Sequence, residues 1–308
     1  MGRITIWRVC LEMVQDHPIF GFGIGGFSRK YMNYQARYLS QTSPDISHWL
    51  ADDIFCPYNE ILHLLITFGI PISIGMVFLI LFIIRHGIEN KNPFSLHLIY
   101  LSVFSLFSFP SYHYITIVLF LFSALLILRK GELKYQKAII LSIVFGIFVV
   151  SAYFSLQQFV LRESEKSFAY GKPLDDLMMK MVENSPFLLD YYVNTAYEHG
   201  FELSDDLINR AVRYIPSSRI MVIAADRDIE RNEYNKAEDK LKVAVKMVPS
   251  RIWARSKLFD LYNKQGRVKE AMEIGDEILK MPLKVEGAEA YIIQNKIKRQ
   301  MQMMTPQL

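Results

Sequence analysis

Three long stretches of this chain contain no Asp, Glu, Lys or Arg: Ile61–Ile84, Asn92–Leu128 and Ala138–Leu161. That absence of charge constrains the fold more than any motif does. A helix needs about 20 apolar residues to cross a bilayer core. Inside lipid, every backbone polar group of such a helix must be paired within the helix itself. The middle of the chain is therefore expected to be polytopic membrane helix. The stretch Asn92–Leu128 exceeds one span, and Phe109-Pro110-Ser111-Tyr112 offers a break in it. Four spans are expected, at about 61–84, 93–109, 113–128 and 138–160.

The formal net charge of +4 becomes informative when it is divided along the chain. Residues 1–60 hold 5 Lys/Arg against 6 Asp/Glu, residues 61–161 hold 6 against 2, and residues 162–308 hold 24 against 23. The excess lies in short loops between spans, with Arg85 and Lys91 in one and Arg129, Lys130, Lys134 and Lys137 in the other. The bias of Lys and Arg toward cytoplasmic loops puts these two loops inside the cell. Residues 1–60 and the tail after Leu161 then lie on the opposite side. No basic patch interleaved with aromatics is present, which argues against a nucleic-acid partner. Two cysteines, Cys10 and Cys56, leave both a disulfide and two separate thiols open. No His/Cys cluster has metal-ligand spacing, and Met1–Trp7 lacks the apolar core and cleavage site of a signal peptide.

Arg3–His17 reads as a helix, because Ile6, Val9, Cys10, Met13 and Val14 recur at 3–4 spacing and Pro18 ends it. Gly21, Gly23, Gly25 and Gly26 then make a turn-rich segment. Residues 27–58 read as a loop with short helices. The tail from about 170 is helical and repetitive. Pro216, Pro249 and Pro282 are 33 residues apart. Ala225, Ala237 and Ala244 are matched 34 residues later by Phe259, Ala271 and Ile278. This phasing is that of small and helix-ending positions in a tetratricopeptide repeat, whose units stack to bury a shared core. Glu286–Met301 would be the capping helix. The expected fold class is all-α: polytopic membrane helices followed by a soluble tetratricopeptide-like domain. The expected domains are 1–60, 61–161 and 162–308.

The glycine run lacks the preceding strand and the Lys-Ser/Thr pair of a nucleotide loop, so a bent chain is the better account. Several motifs together point elsewhere. Gly2-Arg3 and Trp7 are followed by Asp16-His17-Pro18-Ile19-Phe20-Gly21-Phe22-Gly23-Ile24-Gly25-Gly26-Phe27, then by Asn59-Glu60, with Gly69 ten residues after Asn59. In order and spacing, over about residues 2–130, this resembles the O-antigen ligase/polymerase superfamily. The resemblance implies a metal-independent, cofactor-free, inverting glycosyl transfer at the periplasmic face of a bacterial inner membrane. The donor would be a glycan on undecaprenyl diphosphate, and the acceptor a hydroxyl of lipid A–core or of a growing glycan. Helical-repeat tails accompany similar proteins, and here the tail would be periplasmic and open to a protein partner.

A departing diphosphate needs fixed cations, which guanidinium supplies bidentately. Arg3 matches the superfamily's arginine and is the leading candidate; Arg8 and Arg29 are weaker ones. Asn59 matches the Asn of a His-Asn pair, but Tyr58 stands where the His is expected. A phenol of pKa about 10 is a poor base near neutrality. His63, one helical turn beyond Asn59, is the next candidate. Glu60, the Asp52–Asp53 pair and, more remotely, His48 are alternatives that also read as solvated loop residues. The superfamily also carries spans ahead of the Gly2-Arg3 segment, so the chain reads as the C-terminal part of such a protein. A membrane-anchored, non-catalytic scaffold for envelope proteins is the alternative. A transporter is a distant third, since the four spans carry no buried ionisable group except His97 and His113, which can be plain interfacial residues.

Overall fold

The structure is a computed structural model that describes residues 2–43, 46–109, 113–129, 136–281 and 288–304. Among these residues it is all-helical, with no strand. The helices run α1 (Gly2–Asp16), α2 (Gly26–Gln41), α3 (Ile46–Leu50), α4 (Glu60–Glu89), α5 (Phe94–Ser105), α6 (Tyr114–Leu128), α7 (Gln136–Tyr170) and α8 (Asp176–Asn184). They continue with α9 (Pro186–Glu198), α10 (Asp205–Tyr214), α11 (Ser218–Glu230), α12 (Tyr234–Met247), α13 (Ile252–Lys264), α14 (Val268–Lys280) and α15 (Ala288–Met304). The proposed break at Pro110–Tyr112, the loop residues Lys130 and Lys134, Pro282, and the expected start of the capping helix at Glu286 lie outside the described residues.

The chain divides into two compact units. One comprises Met1–Val9, Ser28–Phe55 and Leu189–Leu308; the other comprises Cys10–Phe27 and Cys56–Leu188.

In the second unit, α4 and α7 carry apolar stretches long enough to span a membrane, while α5 and α6 are shorter apolar helices. Only 22% of the most apolar window of α4 and 6% of that of α7 is buried. A core helix of a soluble protein would be mostly covered. Here Phe78, Leu79, Phe82, Leu96, Phe145 and Phe148 face outward, as apolar residues do when the surrounding solvent is lipid. The chain is thus a membrane-type protein. Ile83, Leu98, Ala124, Ile127 and Leu128 form the buried seam between α4, α5 and α6. Gly87 lets these helices close up, since a Cβ there would meet Ser95 at 2.9 Å and Ile127 at 3.0 Å. Asn92 fastens one end of the seam by donating to the carbonyl of Leu126 at 2.8 Å. Asn59 fastens the other by donating to the carbonyl of Leu106 at 2.9 Å. Arg85, Lys91 and Arg129 therefore belong to the Asn92 end, away from Asn59.

The first unit is built on α11–α15. Short connections make α11/α12 and α13/α14 neighbouring hairpins. Ala225, Ala237, Ala244, Ala254 and Ala271 are buried where the helices approach, around Leu241, Phe259 and Ile278. Beside this core sits a buried carboxylate, Glu238. It accepts from Arg267, Lys242 and, at 3.0 Å, the Tyr262 hydroxyl. Arg267 above all holds its pKa down, at about 2.

One expectation needs correction in this unit. Residues 27–58 are not mainly loop, because α2 is a regular helix of 16 residues. Its buried positions, Phe27, Tyr31, Met32, Gln35, Ala36 and Leu39, follow 3–4 spacing. Two of the six are Tyr and Gln, which hide that periodicity in a sequence scan.

Candidate functional site

The glycine run and Gly69 are two halves of one construction. Gly69 sits inside α4 with φ 76° and ψ 176°, which breaks the helix there, and Pro71 follows. Pro71 has no N–H to offer the carbonyl of Thr67, and the break takes the N–H of Ile70 away from the carbonyl of Ile66. Unpaired backbone groups cost several kcal/mol in an apolar medium (about 4–8). The glycine turn supplies the missing partners. Phe22 N–H donates to the carbonyl of Ile66 (2.7 Å), Gly23 N–H donates to that of Thr67 (3.0 Å), and Ile70 N–H donates to that of Pro18 (2.7 Å). The Ser73 hydroxyl meets the carbonyl of Gly69 at 2.6 Å. Non-helical backbone is tolerated in a membrane helix only where protein groups re-pair it in this way.

This contact explains why both positions are glycine. A Cβ on Gly21 would lie 2.5 Å from the carbonyl oxygen of Ile66, and one on Gly69 would run into the Ile19 backbone. Both residues also have positive φ. The Phe22 and Gly23 amides are spent on α4, and those of Gly21 and Gly26 on His17 and Gly23, which argues against the phosphate-loop reading.

The same helix starts at the motif pair. Asn59 is extended and caps α4, its Oδ1 accepting from Leu62 N–H at 3.0 Å. Its Nδ2 is the donor to Leu106. Tyr58 adopts a left-handed φ of 54°. Its ring meets Phe109 edge-on at 5.2 Å, and Phe109 in turn lies 5.3 Å from His113. One turn into α4, His63 Nδ1 lies 3.2 Å from Glu60 Oε2, with 26% and 15% of the two side chains exposed. When Nδ1 carries the proton, Glu60 orients the ring and Nε2 is left as an acceptor. The fold thus gathers Tyr58, Asn59, Glu60 and His63 around the start of α4.

The candidate cations fall in the other unit. Arg3 and Arg8 are exposed on α1, and Arg29 is half-buried on α2. Asp52 and Asp53 both pair with Arg251, Asp52 with 45% of its side chain exposed and Asp53 with 21%. His48 Nε2 is 2.8 Å from the carbonyl of Leu39. Cys10 and Cys56 are buried thiols, and burial first, then the neighbouring Cys56, push the Cys10 pKa up. Sequence reasoning missed the grip on Asp52–Asp53 and the pairing of the glycine turn with residues 66–70. Only the glycine composition hinted at the second.

Among the described residues no group of His, Cys, Asp and Glu could hold a metal ion. Fold and site together define a membrane-type protein, all-helical among the described residues, whose long apolar helix α4 is broken and re-paired by a glycine turn. Residues 1–80 match the family model of the O-antigen ligases. That segment contains the glycine turn, Asn59, His63 and Gly69, so the match supports the O-antigen ligase superfamily over a shorter range than residues 2–130. No curated protein and no solved structure matches the chain.

Proposed function

We propose that the chain is a glycan ligase- or polymerase-like protein of the bacterial inner membrane. In this reading it moves glycan from an undecaprenyl diphosphate donor to a hydroxyl of lipid A–core or of a growing glycan. The observation that carries the reading is the family match over residues 1–80, joined to a broken helix whose glycine partners are the matched motif residues. The acceptor oxygen attacks the anomeric carbon, the diphosphate leaves, and configuration inverts. Arg3 takes the departing diphosphate, helped by Arg8 and Arg29. His63, oriented by Glu60, takes the acceptor proton in place of the histidine that Tyr58 replaces. Asn59 holds the helix start on which the pair sits, and Tyr58 lines the acceptor side. The flanking regions face the periplasm, and the tail is a tetratricopeptide-like module.

Transfer of glycan from a lipid-linked donor, measured in membranes, tests this reading. Arg3→Ala is expected to lower the rate about 100-fold, the scale of losing one charge-stabilising group in a transition state. An unchanged rate removes Arg3 from the mechanism. One observation favours the second reading, a membrane-anchored scaffold without catalysis: Tyr58 occupies the expected base position. A wild-type chain that transfers nothing but captures an envelope protein through residues 162–308 would decide for the scaffold.

A further inference from the structure

Equivalent places in successive helical hairpins of the tail carry Pro216-Ser217-Ser218, at the start of α11, and Pro249-Ser250-Arg251, just before α13. Both meet one short piece of the N-terminal region, Ala51–Asp53. Asp53 accepts from the backbone N–H of Ser218 at 2.7 Å and from its hydroxyl at 2.8 Å. A carboxylate at the first N–H of a helix is favoured by the unpaired donors and the dipole there. The Arg251 guanidinium forks, one arm on Asp53 and the other on Asp52. The arm on Asp53 also donates to the Ser218 hydroxyl at 3.1 Å.

The Ser250 hydroxyl donates to the carbonyl of Ala51 at 3.2 Å. Gln35, almost fully buried on α2, donates both to the carbonyl of Asp52 (3.0 Å) and to that of Met247 (2.7 Å). Asp190 adds a third carboxyl to the neighbourhood. Burial first and the charge of Asp53 second raise its pKa, against Asn194 and Arg219. The planar Arg251 fork suits this place, since each of its arms meets one of the two adjacent carboxylates.

Asp53 precedes Asn59 by six residues of chain. We propose that Arg251, together with Ser218, is a positioning residue for glycosyl transfer: the helical tail grips Ala51–Asp53, the stretch of its own chain that runs on to Asn59. The positioning role rests on the transferase reading above; the grip does not.

Hydrogen exchange and transfer, measured side by side on the full chain in membranes, test it. Arg251→Ala is expected to speed exchange of the Asp53 and Ile54 amides about tenfold and to slow turnover about tenfold, the scale of one charge-assisted bond pair. Arg251→Lys keeps the charge without the fork and should recover part of both. Adding Asp53→Asn to Arg251→Ala should cost less than the sum of the two single changes, because both remove the shared Arg251–Asp53 pair. Lys296→Ala, which removes an exposed pair with Asp260, should leave both at wild-type values. Should Arg251→Ala fail to accumulate, Arg251→Lys and Asp53→Asn carry the same comparison. Unchanged exchange overturns the grip. Faster exchange with wild-type turnover overturns the positioning role. A wild-type chain that protects these amides but transfers nothing overturns the transferase reading and the positioning role with it, while the grip stands.

Discussion

At Gly69 a hydrogen in place of a side chain lets two backbones meet. Gly69→Ala or Gly21→Ala would place a methyl group into carbonyl oxygens or backbone of the opposing segment. Each would also hold an L residue in the left-handed region, at about 1–2 kcal/mol. Overpacking adds about 1–3 kcal/mol, so a loss of roughly 3 kcal/mol is expected for either change. Gly75 lies in the same helix with nothing within 4 Å of its added Cβ. Gly75→Ala should therefore be neutral or stabilise by up to about 1 kcal/mol. Thermal unfolding of the three variants in detergent checks the contrast; equal midpoints would remove the backbone contact. A sequence scan sees turn-prone glycines at 21 to 26 but cannot see that their partner lies more than forty residues on. Asp52 and Asp53 mislead in the opposite way, since nothing in the loop sequence shows that Arg251, far along the chain, pairs with both.

Among the elements, α4 and α12 depend most on groups from outside themselves. In α4 the Pro18–Gly23 backbone completes the bonding of Ile66, Thr67 and Ile70. In α12 the buried Glu238 needs Arg267 and the Tyr262 hydroxyl, both from beyond the helix. Its folded pKa of about 2 lies below its ordinary value of 4.5. The sign follows directly: the unfolded chain binds the proton more readily. The stabilisation is complete above pH 4.5 and is lost as pH falls from there toward 2. Hydrogen exchange across α12–α14 is expected to accelerate through that window. Glu238→Gln should flatten the pH dependence and weaken the region at neutrality, leaving Arg267 with one carboxylate fewer. A wild-type profile that is flat from pH 5 to 2.5 would contradict the assignment. The helical character of these segments was legible from apolar and alanine phasing. α2 was not, because its buried face uses Tyr31 and Gln35.

For the whole molecule, the charge-free stretches and the outward-facing apolar side chains agree on a lipid environment. Sidedness is a prediction from the basic loops. A phosphatase reporter fused after Tyr170 should be active, as a periplasmic enzyme is, and the same reporter after Lys91 should be silent. The reverse pattern would end the transferase reading, since Asn59 and His63 would then face the cytosol. The tail's reach back to the N-terminal region could not have been anticipated. Gln35 and Met247 are 212 residues apart in the chain, and no local pattern encodes such a distance.

The sequence alone determined the helical class, the apolar stretches, the repeat-like phasing of the tail and the order of the ligase motif, because each depends on short-range periodicity, composition or spacing. Tertiary structure alone decided which backbone groups re-pair at the break in α4, and which cation meets Asp52 and Asp53. Those outcomes depend on segments far apart in the chain satisfying one another's unpaired groups once burial removes water as an alternative partner.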